Sequence, residues 1–135
     1  MSNSKDFLLI VEDEESIGEG LKFNFEAEGF EVIIISDGSE AVEFIKTNFE
    51  KISTIVLDIM LPGMNGLDVC KKVKNHNELK HIPIILISAK GEEIDQVLGL
   101  ELGADDYVTK PFSPKILFSK IKAMLRRGKE SEGET

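Results

Sequence analysis

The chain has 135 residues, enough for one domain with a single hydrophobic core and too few for two. Its net charge of −9 argues against direct binding to nucleic acid, whose phosphates require a basic surface. The single cysteine, Cys70, cannot form an internal disulfide, and no apolar run approaches the roughly 18 residues of a membrane span. These features, and an N-terminus unlike a signal peptide, predict a cytoplasmic domain with no membrane partner.

Five short apolar runs alternate with amphipathic segments along the chain. The predicted strands cover about 7–11, 31–36, 55–58, 84–88 and 106–109, and the predicted helices about 15–28, 37–48, 67–75, 92–102 and 113–127. Because a helix follows each strand, we expect right-handed βαβ units and an α/β fold with a parallel sheet between two helix layers. The folded domain is predicted to span residues 1–127. Residues 128–135 have the composition of a disordered linker or tail.

Polar side chains stand at the carboxyl ends of the predicted strands. Glu12 and Asp13 follow the first strand, Asp58 and Ser88 close two others, and Lys110 follows the last. In a parallel sheet these ends lie on one edge, where α/β proteins bind ligands. Three carboxylates at one edge repel one another unless a cation binds, and Mg²⁺ suits such a site. With Lys110 beside the cation, Asp58 is the residue left to act as a nucleophile and form an aspartyl-phosphate.

Four motifs give the sequence a specific resemblance, which covers residues from about 6 to 127. They are V-E-D-E at 11–14, L-D-I-M-L-P-G-M-N-G at 57–66, I-S-A-K at 87–90 and G-A-D-D-Y-V-T-K-P-F-S-P at 103–114. Together they resemble bacterial response-regulator receiver domains, especially the subfamily with a C-terminal winged-helix DNA-binding output domain. The resemblance implies a flavodoxin-like (βα)5 fold with strand order 2-1-3-4-5. It also implies a phosphoprotein of a two-component phosphorelay that accepts its phosphoryl group from a sensor histidine kinase or phosphotransfer protein.

The resemblance also assigns a role to each polar residue at this edge. Asp58 is the expected phospho-acceptor, and Lys110 is the lysine expected to pair with the phosphoryl group; its bond to Pro111 is expected to be cis. Ser88 is the expected switch hydroxyl, and Tyr107 is the aromatic side chain expected to change rotamer with it. The implied Mg²⁺ ligands are Asp13, Asp58 and the Met60 backbone carbonyl, with Glu12 acting through water. Such a domain is a regulatory module and not a turnover enzyme, because it catalyses only its own phosphorylation and dephosphorylation.

In the resembling subfamily, phosphorylation favours a homodimer through the fourth helix, fifth strand and fifth helix. The corresponding positions here are Gln96, Asp105, Asp106, Ile116, Lys120 and Arg127. Gln96 and Ile116 replace a basic and an acidic partner, so one ion pair across the interface is lost. Ile116 lies about 140° from the buried stripe of its helix, taking about 100° per residue, so we predict that it faces solvent near the centre of the dimer.

Two other functions use a similar fold or chemistry. A haloacid-dehalogenase-like phosphatase or phosphotransferase requires a second Asp two residues after the nucleophile, where this chain has Met60. A flavodoxin-like cofactor binder requires a phosphate-binding loop after Val11, where this chain has acids. His76 and His81 lie in a polar stretch without other metal ligands and are predicted to be solvated. Whether the chain acts alone or belongs to a longer protein stays open at this point.

Overall fold

The computed structural model describes residues 5–133. Strands and helices alternate strictly, each strand being followed by one helix. The strands are β1 (Phe7–Val11), β2 (Glu31–Ile35), β3 (Thr54–Asp58), β4 (Ile84–Ser88) and β5 (Asp106–Thr109). The helices are α1 (Glu15–Ala27), α2 (Gly38–Asn48), α3 (Gly66–Lys74), α4 (Glu93–Glu101) and α5 (Pro114–Gly133).

The five strands form one parallel sheet in the order β2-β1-β3-β4-β5. The register sets the last residues of neighbouring strands side by side, with Asp58 opposite Ile87 and Ser88 opposite Thr109. The predicted flavodoxin-like α/β fold is therefore confirmed, and the carboxyl ends of the strands do share one edge.

Side chains alternate between the two faces of the sheet and form two separate cores. On one face Leu9, Leu57 and Leu86 pack with α2 and α3, and on the other Ile10, Val56 and Ile87 pack with α1 and α5. A sheet buried on both faces explains why its inner strands are continuously apolar in sequence. Cys70 lies in the first of these cores. Burial raises the pKa of its thiol to about 11, so it is a neutral core side chain.

Glycine at position 66 allows the chain after Asp58 to fold back onto the sheet edge. Its N–H donates to the Ile59 carbonyl at 2.7 Å, and a Cβ atom there would lie only 2.7 Å from the Ile59 Cα. Any other residue would push against backbone atoms that cannot rotate away. Helix α3 can therefore begin directly beside the end of β3.

The last helix is longer than the sequence predicts. The prediction ends it near Arg127, whereas α5 continues to Gly133, so residues 128–133 of the expected disordered tail are helical. Lys and Glu are good helix formers, and one Gly128 costs only about 1 kcal/mol, which does not stop a helix already formed. Residues 134–135 of that tail lie outside the described part of the chain, as do residues 1–4. From Lys5 to Gly133, no helix combines the length and apolar character needed to cross a bilayer.

Candidate functional site

Asp58 lies buried at the end of β3, and its two carboxylate oxygens have different partners. Oδ2 accepts a hydrogen bond from Lys110 Nζ at 2.9 Å, and Oδ1 accepts one from the Met60 N–H at 3.0 Å. A buried carboxylate is costly without such compensation. The ion pair with Lys110 and the hydrogen bond from Met60 thus compensate for the burial of Asp58 at the sheet edge.

Lys110 follows β5 and points its ammonium group into a set of carboxylates. Besides Asp58, Nζ donates to Glu14 Oε1 at 3.0 Å and lies 3.5 Å from Glu12 Oε1. Burial lowers the pKa of Lys110, but the hydrogen bonds to Asp58 and Glu14 and the attraction of the carboxylates outweigh it, so the pKa is raised. Lys110 is therefore a permanent cation in the site. The Lys110–Pro111 bond is cis, as predicted.

Glu12 is buried, like Asp58, whereas Asp13 beside it is exposed. Glu12 Oε2 accepts the Glu14 N–H at 3.0 Å, while Oε1 is buried and forms no hydrogen bond with any residue of the described chain. Burial, and then the neighbouring Asp58 carboxyl group, raises the pKa of Glu12 to about 7, although the Glu14 N–H and Lys110 act in the opposite direction. The site thus contains a buried carboxyl oxygen that has Lys110 at 3.5 Å but accepts no hydrogen bond from the described residues.

The three acids fit a divalent cation. Oxygen atoms of Glu12, Asp13 and Asp58 lie within 4.8 Å of one another, and carboxylate oxygens are the ligands that Mg²⁺ prefers. A cation there would also supply the partner that Glu12 Oε1 lacks. The donor set is therefore suited to Mg²⁺, with the exposed Asp13 at the solvent side and Glu12 and Asp58 beneath it.

We expect Mg²⁺ to stabilise the folded domain, because only the folded chain gathers these three carboxylates. For a Kd on the order of 1 mM, about 10 mM Mg²⁺ would add roughly 1.4 kcal/mol, which raises Tm by a few degrees. Thermal melts with MgCl₂ and with EDTA measure the shift. Asp13→Asn should abolish most of it, while Asp68→Asn on the exposed surface of α3 should leave it intact. A full shift in Asp13→Asn would exclude this site.

Ser88 lies at the end of β4, and its hydroxyl faces helix α4 and strand β5. Gln96 Nε2 donates to Ser88 Oγ at 3.0 Å and to Thr109 Oγ1 at 3.1 Å. Ser88 Oγ lies 3.5 Å from the Val108 carbonyl, a long contact for a hydroxyl. Tyr107 is half-buried and packs against the core under α2 and α3.

The remaining predicted positions are those of the expected dimer interface. Its carboxylates pair within the domain, whereas two of its side chains are exposed. The Asp105 carboxylate accepts the Ile84 N–H at 2.8 Å and pairs with Lys74 at 3.2 Å, so it stabilises the start of β4 within the domain. Asp106 pairs with Lys120 at 3.0 Å. Arg127 is exposed, and Ile116 is 55% exposed, which confirms that its side chain faces solvent.

Sequence reasoning did not find three contributions to the site. Glu14 accepts a hydrogen bond from Lys110, and Thr109 accepts one from Gln96. The third is Gln96 itself, which was predicted only as an interface residue. Glu14 and Thr109 adjoin predicted site residues, and that adjacency is the signal that could have found them. The inward direction of Gln96 has no comparable signal in the sequence.

Comparison with known proteins identifies the family. The response regulator receiver domain family matches residues 8–122, which is most of the chain. The chain belongs to this family. Receiver domains of two-component response regulators are regulatory modules, so the predicted family and its regulatory class are confirmed.

Two curated relatives of this receiver domain carry names that describe signalling proteins. It is 51% identical over 120 residues to the alkaline phosphatase synthesis transcriptional regulatory protein PhoP of Bacillus subtilis (strain 168), covering 89% of this chain and 48% of PhoP. It is 47% identical over 128 residues to the sensory transduction protein RegX3 of Mycobacterium tuberculosis (strain ATCC 25618 / H37Rv), covering 94% of this chain and 54% of RegX3. The chain thus spans about half the length of these relatives.

Solved structures of other receiver-containing proteins have the same fold. A two-component response regulator from Clostridium difficile superimposes with a TM-score of 0.83 at 31% identity, covering 91% of this chain and 98% of that one. The BeF3-activated N-terminal receiver domain of Klebsiella pneumoniae RstA superimposes with a TM-score of 0.81 at 29% identity, covering 90% and 99%.

Proposed function

We propose that Asp58 of this receiver domain accepts a phosphoryl group from a histidine of a sensor kinase or phosphotransfer protein. The observation that carries the proposal is the environment of Asp58. It is a buried carboxylate paired with Lys110 and set within a cluster of acids suited to Mg²⁺. A carboxylate with a permanent cation and a divalent-cation site beside it has the partners that phosphoryl transfer requires.

The chain's own residues perform the transfer as follows. An Asp58 oxygen forms the new O–P bond while the P–N bond of the donor breaks and its electron pair leaves on the imidazole. Lys110 lies 2.9 Å from Asp58 and is placed to neutralise the negative oxygens of the arriving group. Asp13, Asp58 and the Met60 carbonyl, with Glu12 acting through water, would hold Mg²⁺, which would supply further neutralising charge. Ser88 then turns to donate to a phosphoryl oxygen, and Tyr107 moves inward with it.

Acetyl phosphate tests this function without the kinase. We expect the intact mass of the domain to rise by one phosphoryl group when acetyl phosphate and MgCl₂ are both present. EDTA should prevent the rise, because the carboxylate cluster then lacks its cation. An equal rise in EDTA, or none with MgCl₂, would contradict the proposal.

We propose that the phosphorylated domain is neither a phosphatase nor a phosphotransferase of the haloacid-dehalogenase type. Met60, two residues after Asp58, has an apolar side chain that is 70% exposed and cannot transfer a proton to a leaving group. We further propose that the domain works in the cytoplasm and that residues 1–127 act as one regulatory unit. Its net charge of −9 supports partners that are proteins rather than nucleic acids or membranes.

We propose that phosphorylation promotes a two-fold dimer through α4, β5 and α5. Ile116 on α5 and Ile94 and Val97 on α4 expose large apolar side chains, a composition that favours association with a second copy. Asp106 and Lys120 already pair within the domain, so exchanging them across an interface contributes little. Apolar burial around Ile116 therefore supplies the driving force in this proposal.

Ile116→Glu should prevent this dimer, because it places a charge at the centre of the interface. Sedimentation of the domain with beryllofluoride and Mg²⁺ should show dimers for the wild type and monomers for the variant. Phe23→Glu is a matched control, since it changes an exposed apolar side chain on α1. Equal dimerisation of wild type and Ile116→Glu would place the interface elsewhere.

A further inference from the structure

Gln96 links helix α4 to the ends of two strands. Its Nε2 atom donates to Ser88 Oγ on β4 and to Thr109 Oγ1 on β5, at 3.0 and 3.1 Å. A primary amide nitrogen carries two hydrogens, so these two bonds use both of them. Ser88 and Thr109 are register partners at the carboxyl edge of the sheet, and one amide group bridges them.

The position of Gln96 on α4 explains why its side chain points inward. Gly99, three residues later and therefore on the same side of the helix, is the residue of α4 that is buried. A Cβ atom at Gly99 would collide with Leu86 of β4, so the glycine lets the helix approach the sheet. The aliphatic side chains of α4 are largely exposed, namely Ile94, Val97, Leu98 and Leu100. The bonds of Gln96 are thus a principal attachment of this helix to the strand ends.

The Ser88 hydroxyl has its partners on α4 and β5, whereas Asp58 ends β3, the neighbour of β4 on its other side. Among the residues described, its partners are Gln96 and, at 3.5 Å, the Val108 carbonyl, and neither belongs to the Asp58 side of the site. Ser88 Oγ accepts from Gln96, so it is the change of Ser88 rotamer needed to reach a group on Asp58, and not the donation itself, that breaks this bond. The half-buried amide would then lose a partner, and such a loss costs free energy.

We propose that Gln96 is a positioning residue that holds Ser88 in its unphosphorylated arrangement and ties α4 to it. The proposal rests on the proposed acceptance of a phosphoryl group by Asp58. Gln96 and the phosphoryl group then favour different rotamers of Ser88. Because a ligand shifts an equilibrium by its differential affinity for two states, loss of the Gln96 donor strengthens binding of a phosphoryl mimic.

Gln96→Met tests this role, because methionine keeps the length of the side chain and removes both donors. Beryllofluoride is titrated at saturating Mg²⁺ and followed by the fluorescence of Tyr107, the single tyrosine in a chain without tryptophan. The variant is expected to bind about fivefold more tightly than the wild type, which corresponds to about 1 kcal/mol, the net value of one neutral hydrogen bond. Leu100→Met, a change at an exposed position of the same helix that the dimer proposal does not use, should bind like the wild type.

A double-mutant cycle shows whether the effect passes through Ser88. In a Ser88→Ala background, Gln96→Met should leave the affinity for beryllofluoride unchanged. A gain in beryllofluoride affinity that persists in the Ser88→Ala background would overturn the role of Gln96. A Gln96→Met variant with a lower Tm but wild-type affinity would also overturn it, because that result indicates a purely structural residue. A wild type that binds no beryllofluoride would overturn the proposed function as well. Normal wild-type binding with an unchanged Gln96→Met affinity would overturn only the role of Gln96.

Discussion

Asp58→Asn should gain no phosphoryl group from acetyl phosphate and MgCl₂ under conditions in which the wild type gains one. The amide oxygen of asparagine is a weak nucleophile and cannot form a stable acyl phosphate, so the loss should be complete rather than partial. The substitution keeps the size of the side chain at this buried position. Intact-mass spectrometry over time measures the result, and a thermal melt verifies that the variant is folded.

Two controls make the assignment to Asp58 specific. Asp68→Asn makes the same chemical change at an exposed position on α3 and should be labelled like the wild type. His76 and His81 are exposed and are the other side chains whose nitrogen could take a phosphoryl group. Labelling that persists in Asp58→Asn and maps to either histidine would move the site away from the sheet edge.

The site residues could be predicted because each stands where an apolar run of the sequence ends. Each apolar run that ends in a polar residue marks the carboxyl end of a strand, and parallel pairing brings those ends to one edge. Asp58 and Lys110 are 52 residues apart in sequence, and the geometry of the fold places them 2.9 Å apart. The fold and the main members of the site therefore follow from periodicity and topology together.

Helix α4 shows where sequence periodicity fails. Ile94, Val97 and Leu98 have the spacing of one apolar helix face, yet all three are exposed, while Gly99 is buried and Gln96 points inward. A glycine contributes no apolar signal, and an amide satisfied by two hydroxyls can replace an apolar contact. The contacts of Gln96 depend on tertiary packing that the sequence of one helix does not encode.

We also expect the stability of the metal-free domain to fall as pH rises through neutrality, because of Glu12. Burial and the neighbouring Asp58 carboxyl group raise the pKa of Glu12 from 4.5 to about 7 in the folded state. Between these two values the folded chain binds more protons than the unfolded chain, so the free energy of unfolding decreases with rising pH. Over about 2.5 pH units the loss is roughly 3 kcal/mol, taking about 1.4 kcal/mol per unit. Lys110 adds no slope in this window, since its pKa is raised above its usual value and it stays protonated in both states.

Urea unfolding in EDTA at pH 5 and pH 8 measures this loss, and Glu12→Gln isolates the contribution of Glu12. The variant should match the wild type near pH 5, where Glu12 is protonated, and should exceed it at pH 8 by roughly the same 3 kcal/mol, because glutamine never ionises. Glu14→Gln makes the same change at an exposed carboxylate that also contacts Lys110, and it should retain the wild-type pH dependence. Parallel pH profiles for wild type and Glu12→Gln would mean that Glu12 is ionised throughout. Lys110, 3.5 Å away, would then be holding both buried carboxylates in their charged forms without a metal.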